Sequence, residues 1–119
     1  MYSSALLAII ERAGHDTAVL VDGLSEAEFL RSRVTRAEVR RLIRNIADTA
    51  ANTPPELRTQ LAQIDWDGWI AIGARLRQAD AQADETLWFA ARSLVPATLM
   101  WLADYRRRHP ALFEFRPPD

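Results

Sequence analysis

The sequence predicts an all-α protein, an antiparallel bundle of four to five helices in one domain over residues 1–119. Apolar residues recur at helical spacing along nearly the whole chain, and no segment alternates with the period of two that is typical of a strand. Capping residues and prolines divide the periodic segments at short intervals, which favours antiparallel neighbours. With 119 residues, 49% of them hydrophobic, the chain has enough material for one core.

The first helix is predicted over residues 4–22. Ser3 or Ser4 is the expected N-cap, and Gly23 suits the position that follows the last turn of a helix. One face carries the residues expected to be buried, which are Leu6, Ile9, Ile10, Ala13, Thr17, Leu20 and Val21.

Two capping boxes predict the next two elements, a short helical turn over 26–31 and a longer helix over 36–52. The capping pairs are Ser25 with Glu28 and Thr35 with Glu38. The apolar face of the longer helix carries Val39, Leu42, Ile43, Ile46 and Ala50. Its arginines fall largely on the other side, at Arg36, Arg40, Arg41 and Arg44.

The pair Pro54-Pro55 closes that helix and begins a short one in the segment ELRTQLAQI, because proline is tolerated in the first turn. Asp65 is the expected N-cap of a further helix that runs from Trp66 to about Ala79.

A polar loop is predicted over 80–84, with Asp84 as the cap of a last helix over 85–107. Pro96 is expected to kink this helix, because proline removes a backbone donor and crowds the preceding turn. The segment FEFRPPD is expected to form a partly docked end. The tryptophans are predicted to pack in the core or in a dimer interface, and they are Trp66, Trp69, Trp88 and Trp101.

Composition excludes several classes of protein. The net charge of −1 gives no global field that would attract nucleic acid or an acidic membrane. All 15 basic residues are arginine. We attribute this to the base composition of the genome and not to phosphate binding, although guanidinium groups suit phosphate contacts. The chain has no Cys, no signal-peptide pattern and no apolar run of membrane length, so we expect a soluble, cytoplasmic protein.

Few residues are candidates for chemistry. His15 is expected on a helix surface. His109 follows Arg106, Arg107 and Arg108, where basic side chains complement the negative end of a helix dipole. The alternative is that these four residues form a basic patch that binds RNA or another phosphate. No metal-binding motif, phosphate loop or nucleophile pattern is present, so no cofactor and no metal are predicted.

Three segments carry a family resemblance: GLSEAEFLRSRVTRAEVRRLIRNIADTA at 23–50, PPELRTQLAQIDWDGW at 54–69, and Leu87-Trp88 with Leu-Val-Pro at 94–96. In this order they resemble the HepT-like branch of the HEPN superfamily, small helical bacterial proteins usually encoded beside a minimal nucleotidyltransferase. The resemblance implies a toxin–antitoxin cassette in which this chain corresponds to the metal-independent ribonuclease.

The resemblance also implies a site in which an Arg is followed by His-x-Tyr. In that chemistry the His moves protons and the Arg stabilises charge on the phosphate, while the partner enzyme silences the toxin by attaching AMP to the Tyr. When the frames are aligned without a gap, Gly73 and Ala74 stand where the family has Arg-Asn, with Gln78 at the His position and Asp80 at the Tyr position. A slip of one residue in the frame would bring Arg75 or Arg77 nearer the Arg position. Residues 67–87 contain neither His nor Tyr.

The leading hypothesis is therefore a HepT-like protein that lacks the standard ribonuclease site and acts as a binding or assembly subunit. The expected assembly is a homodimer that buries the Trp-rich face, and the resemblance implies a nucleotidyltransferase antitoxin as partner. One alternative is an active RNA-cleaving toxin in which Arg75, Arg77, Asp80 and His109 converge. The other is a helical bundle that binds nucleotides or RNA without chemistry.

Overall fold

The computed structural model describes residues 2–78 and 82–114, and every regular element within those ranges is helical. The prediction of an all-α helical bundle is confirmed. In chain order the elements are α1 (Tyr2–Val21), α2 (Glu26–Arg31), α3 (Arg33–Ala51), α4 (Pro55–Gln60), α5 (Trp66–Leu76), α6 (Gln82–Phe89), a π-helical stretch (Ala90–Leu94), α7 (Val95–Arg108) and a 3₁₀ turn (Pro110–Phe113).

Four helical rods pack around one core: α1, α3, α5 and the continuous rod that contains α6 and α7. Neighbouring rods run antiparallel. For example, Gln63 just before α5 contacts Tyr105 near the end of α7, whereas Trp69 within α5 donates its indole N–H to Thr98 near the start of α7, at 3.0 Å. No helix in the described ranges combines the length and apolar composition that crossing a bilayer requires.

The first helix lies where the sequence places it, but its buried arc differs. The helix already includes Ser3 and Ser4, so neither residue caps it and that prediction is wrong. Gly23, with φ of 75°, ends the helix as predicted. Ile9 is 40% exposed, whereas Leu7 is fully buried. The cause is that α1 packs between α3 and α7, which rotates the buried arc away from Ile9.

The first capping box is confirmed and the second is wrong. The backbone N–H of Ser25 donates to Glu28 Oε1 at 3.0 Å, and the N–H of Glu28 donates to Ser25 Oγ at 3.1 Å. The next helix begins earlier than predicted because Ser32, not Thr35, is its N-cap: Ser32 Oγ accepts from the N–H of Thr35 at 3.3 Å. All the residues predicted for the apolar face of α3 are buried.

The next two helices are shorter than predicted. The segment ELRTQLAQI is helical only as far as Gln60. Asp65 is the predicted cap of α5, and its Oδ1 accepts from the N–H of Gly68 at 2.9 Å. This helix ends at Leu76, and the predicted end at Ala79 lies outside the described residues.

The loop predicted over 80–84 is wrong from Gln82 onward, because α6 begins there. Asp84 therefore does not cap the helix. It lies within the first turn of α6, where its Oδ2 forms an ion pair with Arg36 Nε of α3 at 3.6 Å. The Asp84 side chain, which the local sequence predicted as a helix cap, thus forms a tertiary ion pair with Arg36 instead.

The last rod is interrupted just before Pro96, by the π-helical stretch Ala90–Leu94. There the N–H of Val95 donates to the carbonyl of Ala90, five residues back. Pro96 falls in the first turn of α7, where a missing N–H costs little. The widened turn accommodates the proline inside a continuous rod, which extends to Arg108.

The tryptophans divide between the core and its edge. Trp66 and Trp69 are 6% and 1% exposed, so they lie in the core of a single chain. Trp88 packs against Phe29 with ring centroids 5.1 Å apart, and Trp101 is half-buried. A homodimer therefore cannot bury the whole Trp-rich face in its interface, because half of that face is already inside the monomer.

Candidate anion-binding surface

The end of α5 holds Arg75 and Arg77, the arginines that the family resemblance places near the Arg of the implied site. Arg75 Nη1 donates to Gln78 Oε1 at 3.0 Å, and Nη2 donates to Gln82 Oε1 at 2.5 Å. Arg75 therefore fastens the end of α5 to the start of α6. Arg77 is the C-cap residue of α5 and is exposed. The fourth residue predicted for this region, Asp80, lies outside the described residues.

A further arginine, Arg40 of α3, joins this turn, and the sequence did not predict it as a site residue. Its Nη1 donates to the carbonyl oxygen of Leu76 at 3.4 Å, beside Arg77. The two helices approach closely because Gly73 has no side chain: a Cβ there would stand 3.1 Å from the Cβ of Ala47. The close approach aligns the basic side of α3 with the end of α5.

The outer side of α3 forms an open depression of about 570 Å³, lined by Ala37, Arg40, Arg41, Arg44, Asn45 and Asp48. Arg41 is paired with Glu38 of the same helix, and the hydrogen bond from Arg41 lowers the pKa of the Glu38 carboxyl. Arg44 is exposed and has no hydrogen-bond or ion-pair partner in the part of the chain described. We call Arg40, Arg41, Arg44 and Arg77 the arginine surface.

The second candidate group, at the end of α7, is largely engaged within the chain. Arg106 is paired with Glu11 of α1, and its guanidinium lies 4.6 Å from the ring centroid of Phe113. Arg107 and Arg108 share Asp104, at 3.0 and 2.6 Å. These contacts connect the C-terminal turn to α1 and to α7 itself, and each of the three arginines has a carboxylate that offsets its charge.

His109 is the C-cap of α7 and is exposed, as is His15 of α1. The backbone N–H of His109 donates to the carbonyl of Tyr105 at 2.6 Å, and the two rings lie 6.3 Å apart. With Arg108, His109 lines an open depression of about 540 Å³. Arg108 and His109 thus lie together at the surface, as the sequence predicted, but the depression that they line is open to solvent.

The two candidate groups lie at opposite ends of α5. Arg108 Nη2 stands 3.4 Å from Gln63 Oε1, just before α5 begins, whereas Arg75 lies in its last turn. The 11 residues of α5 span about 16 Å at 1.5 Å per residue. Within one chain His109 therefore does not converge with Arg75 or Arg77, and a site that combined them would need His109 from a second copy.

Among the residues with described positions, no group of three or more His, Asp or Glu side chains is arranged to share a metal ion. Comparisons with protein-family models, with curated proteins and with solved structures found no match to this chain. The HepT-like resemblance accordingly stays a sequence-based prediction.

The sequence signal for the arginine surface was present but incomplete. Arg36, Arg40 and Arg44 repeat every four residues, which places them on one line along α3. The sequence put them on the polar side of the helix, but it could not show that α5 ends beside them. Only the tertiary contact at Arg40 connects them to Arg77.

Proposed function

We propose that the protein is a non-catalytic, HepT-like binding subunit that holds single-stranded RNA through phosphate contacts on the arginine surface. The observation that carries the proposal is the contact of Arg40 with the last turn of α5, which joins the basic side of α3 to Arg77. Arg40, Arg41 and Arg44 line one open depression on α3, and Arg77 directly follows the residue that Arg40 contacts.

Guanidinium groups suit this role because each presents a planar fork of donors that matches phosphate oxygens. Arg44 and Arg77 are both exposed, and Arg40 has donors beyond the one given to Leu76. The nearby carboxylates, Glu38 and Asp48, offset part of this charge, so we expect weak binding that is strongest at low salt.

We expect binding without cleavage because the residue that aligns with the family's proton-transferring His is a glutamine. Gln78 stands there, and an amide accepts and donates hydrogen bonds but does not carry a proton near neutral pH. Its oxygen accepts from Arg75. The remaining His candidate, His109, lies at the other end of α5.

Two partners belong to this proposal. The resemblance implies a minimal nucleotidyltransferase, which a neighbouring open reading frame with Gly-Ser and a spaced Asp-x-Asp would support. The second partner is another copy of the chain, in a homodimer whose interface is not the Trp-rich face, because Trp66 and Trp69 lie in the core.

The test is binding of a fluorescein-labelled single-stranded RNA, followed by polarisation across a range of salt concentrations. Contacts from Arg40, Arg44 and Arg77 predict that log K falls against log salt with a slope of about −2, at roughly −0.7 per phosphate. The double variant R40A/R44A should weaken binding and reduce the steepness of that slope by about 1.4.

The matched control is R107A/R108A, which removes two arginines from the other end of the bundle and should leave the slope unchanged. Loss of binding in this control, with R40A/R44A unaffected, would move the site to α7 and contradict the proposal. The same RNA is examined on a denaturing gel after incubation without metal. Cleavage that disappears in R75A or R77A would establish the active toxin instead.

A further inference from the structure

The outer face of α1 carries a stripe that none of the other described residues covers. Ile9, Arg12, Asp16 and Val19 are spaced three and four residues apart, so they follow one line along the helix. Ile9 is 40% exposed and Val19 is 75% exposed, although both are large and apolar. Arg12 and Asp16 form an ion pair between them, at 3.6 Å. We call these four residues the α1 stripe.

The α1 stripe is symmetric about position 14. Ile9 and Val19 stand five residues on either side of it, and Arg12 and Asp16 stand two residues on either side. When two copies of such a helix pack antiparallel across a two-fold axis at that position, Ile9 of one faces Val19 of the other, and Arg12 faces Asp16. Each contact occurs twice, and both kinds are complementary.

The surface beside the stripe has depressions at the places where this arrangement would put apolar side chains. One, of about 480 Å³, is lined by Ala8, Ile9, Ala13 and Leu42 among others. The second, of about 280 Å³, is lined by Val19, Leu20 and Leu42 among others. Val19 of a second copy would enter the first depression, and Ile9 of that copy would enter the second.

The charges on this face argue for a second copy and against a polyanion. Arg12 and Arg41 are balanced by Asp16 and Glu38, so the face has no excess of positive charge. Asp16 also lies close enough to Arg41 to raise its pKa, after the larger effect of Glu38. A surface of alternating sign matches its own two-fold copy, because each cation meets an anion.

We propose that the protein forms a homodimer in which the α1 stripes of two copies pack antiparallel, with Ile9 against Val19 and Arg12 against Asp16. This inference rests on the homodimer in the proposed function and names its surface. Arg41 belongs to both surfaces, but Arg40, Arg44 and Arg77 line neither of the two depressions beside the α1 stripe, so RNA binding through these three arginines and dimerisation are separable.

The first experiment is sedimentation of the wild-type protein and two variants over a concentration series up to about 100 µM, from which the Kd of each is obtained; at the highest concentration a Kd of micromolar order gives mainly dimer. The wild type should have twice the 13.5 kDa mass of one chain. V19E places an unpaired carboxylate in the interface and should weaken association by at least about tenfold. M100E, the matched control, alters an exposed apolar residue of α7 and should leave the dimer intact.

The second experiment exchanges charges between copies. R12E and D16R each create like charges at positions 12 and 16, within a chain and across the two-fold axis, so each alone should be monomeric. In an equimolar mixture, a dimer of one R12E chain and one D16R chain has opposite charges at both contacts across the two-fold axis. Within each chain, positions 12 and 16 still carry like charges. A dimer that forms only in the mixture therefore reports the antiparallel contact of Arg12 with Asp16, and circular dichroism at 222 nm verifies that each variant is folded.

A monomeric wild type would overturn both the interface and the homodimer. A dissociation constant of V19E equal to that of the wild type would overturn the α1 stripe alone. Failure of the mixed variants to associate would overturn the antiparallel register. None of these results alters the salt dependence of RNA binding in R40A/R44A, so failure of the dimer and failure of the RNA proposal are distinguishable.

Discussion

The substitution T98V tests the buried hydrogen bond that joins α5 to α7. The Oγ1 of Thr98 accepts from Trp69 Nε1 at 3.0 Å and donates to the carbonyl of Leu94 at 2.7 Å. Trp69 is 1% exposed and Thr98 is 3% exposed, so water has no access to the indole N–H. Valine keeps the shape of threonine but removes both hydrogen bonds.

The expected cost follows from the group left without a partner. A buried donor that loses its acceptor costs about 1–3 kcal/mol, whereas removing both partners is much less costly. We therefore expect T98V to lower the free energy of unfolding by about 1–3 kcal/mol in the wild type. In the W69F background, which has no indole N–H, T98V should cost at least about 1 kcal/mol less.

The assay is urea unfolding of the four proteins in this double-mutant cycle, followed by circular dichroism so that the loss of Trp69 does not alter the signal. The midpoint should fall in T98V while the m-value stays constant. A coupling energy below about 0.3 kcal/mol between the two positions would refute the reasoning, because the hydrogen bond would then contribute nothing beyond side-chain packing.

Two further predictions concern the helix caps. The hydrogen bond from the backbone N–H of Ser25 lowers the pKa of the Glu28 carboxyl from its ordinary value of 4.5. The ionised carboxyl therefore stabilises the folded protein above pH 4.5, and this stabilisation is lost as the pH falls through the lower pKa of the folded state. E28Q should therefore show a smaller fall in Tm than the wild type between about pH 6 and pH 3, measured by thermal unfolding. S32A should lower the free energy of unfolding by about 1 kcal/mol, with T35A costing less; the reverse order in urea unfolding would contradict Ser32 as the N-cap of α3.

Part of the candidate site was predictable, because Arg75 and Arg77 lie at the end of a helix whose start Asp65 defines. The contribution of Arg40 was not, since it depends on the close approach of Gly73 to Ala47, residues far apart in the sequence. The separation of His109 from Arg75 is likewise a property of packing, because it depends on the direction in which α7 crosses the start of α5.

The α1 stripe illustrates the same division. The sequence gives the spacing of Ile9, Arg12, Asp16 and Val19, and helical periodicity placed Ile9 with the buried residues. The structure exposes Ile9 because α3 and α7 flank α1 and together define which arc is covered. A pattern that predicted core packing becomes a candidate interface once the neighbouring rods are known.

The sequence by itself determined the helical class, the approximate extents of the helices, the caps at Ser25 and Asp65, and the buried side of α3. These features depend on hydrogen bonds and periodicities within a few residues, which the order of amino acids specifies directly. Only the tertiary structure decided that Asp84 pairs with Arg36 instead of capping a helix. It also decided that Arg40 contacts the end of α5, and that two of the four tryptophans lie in the core. Each of these depends on how distant rods pack, and no local interaction encodes the distance between them.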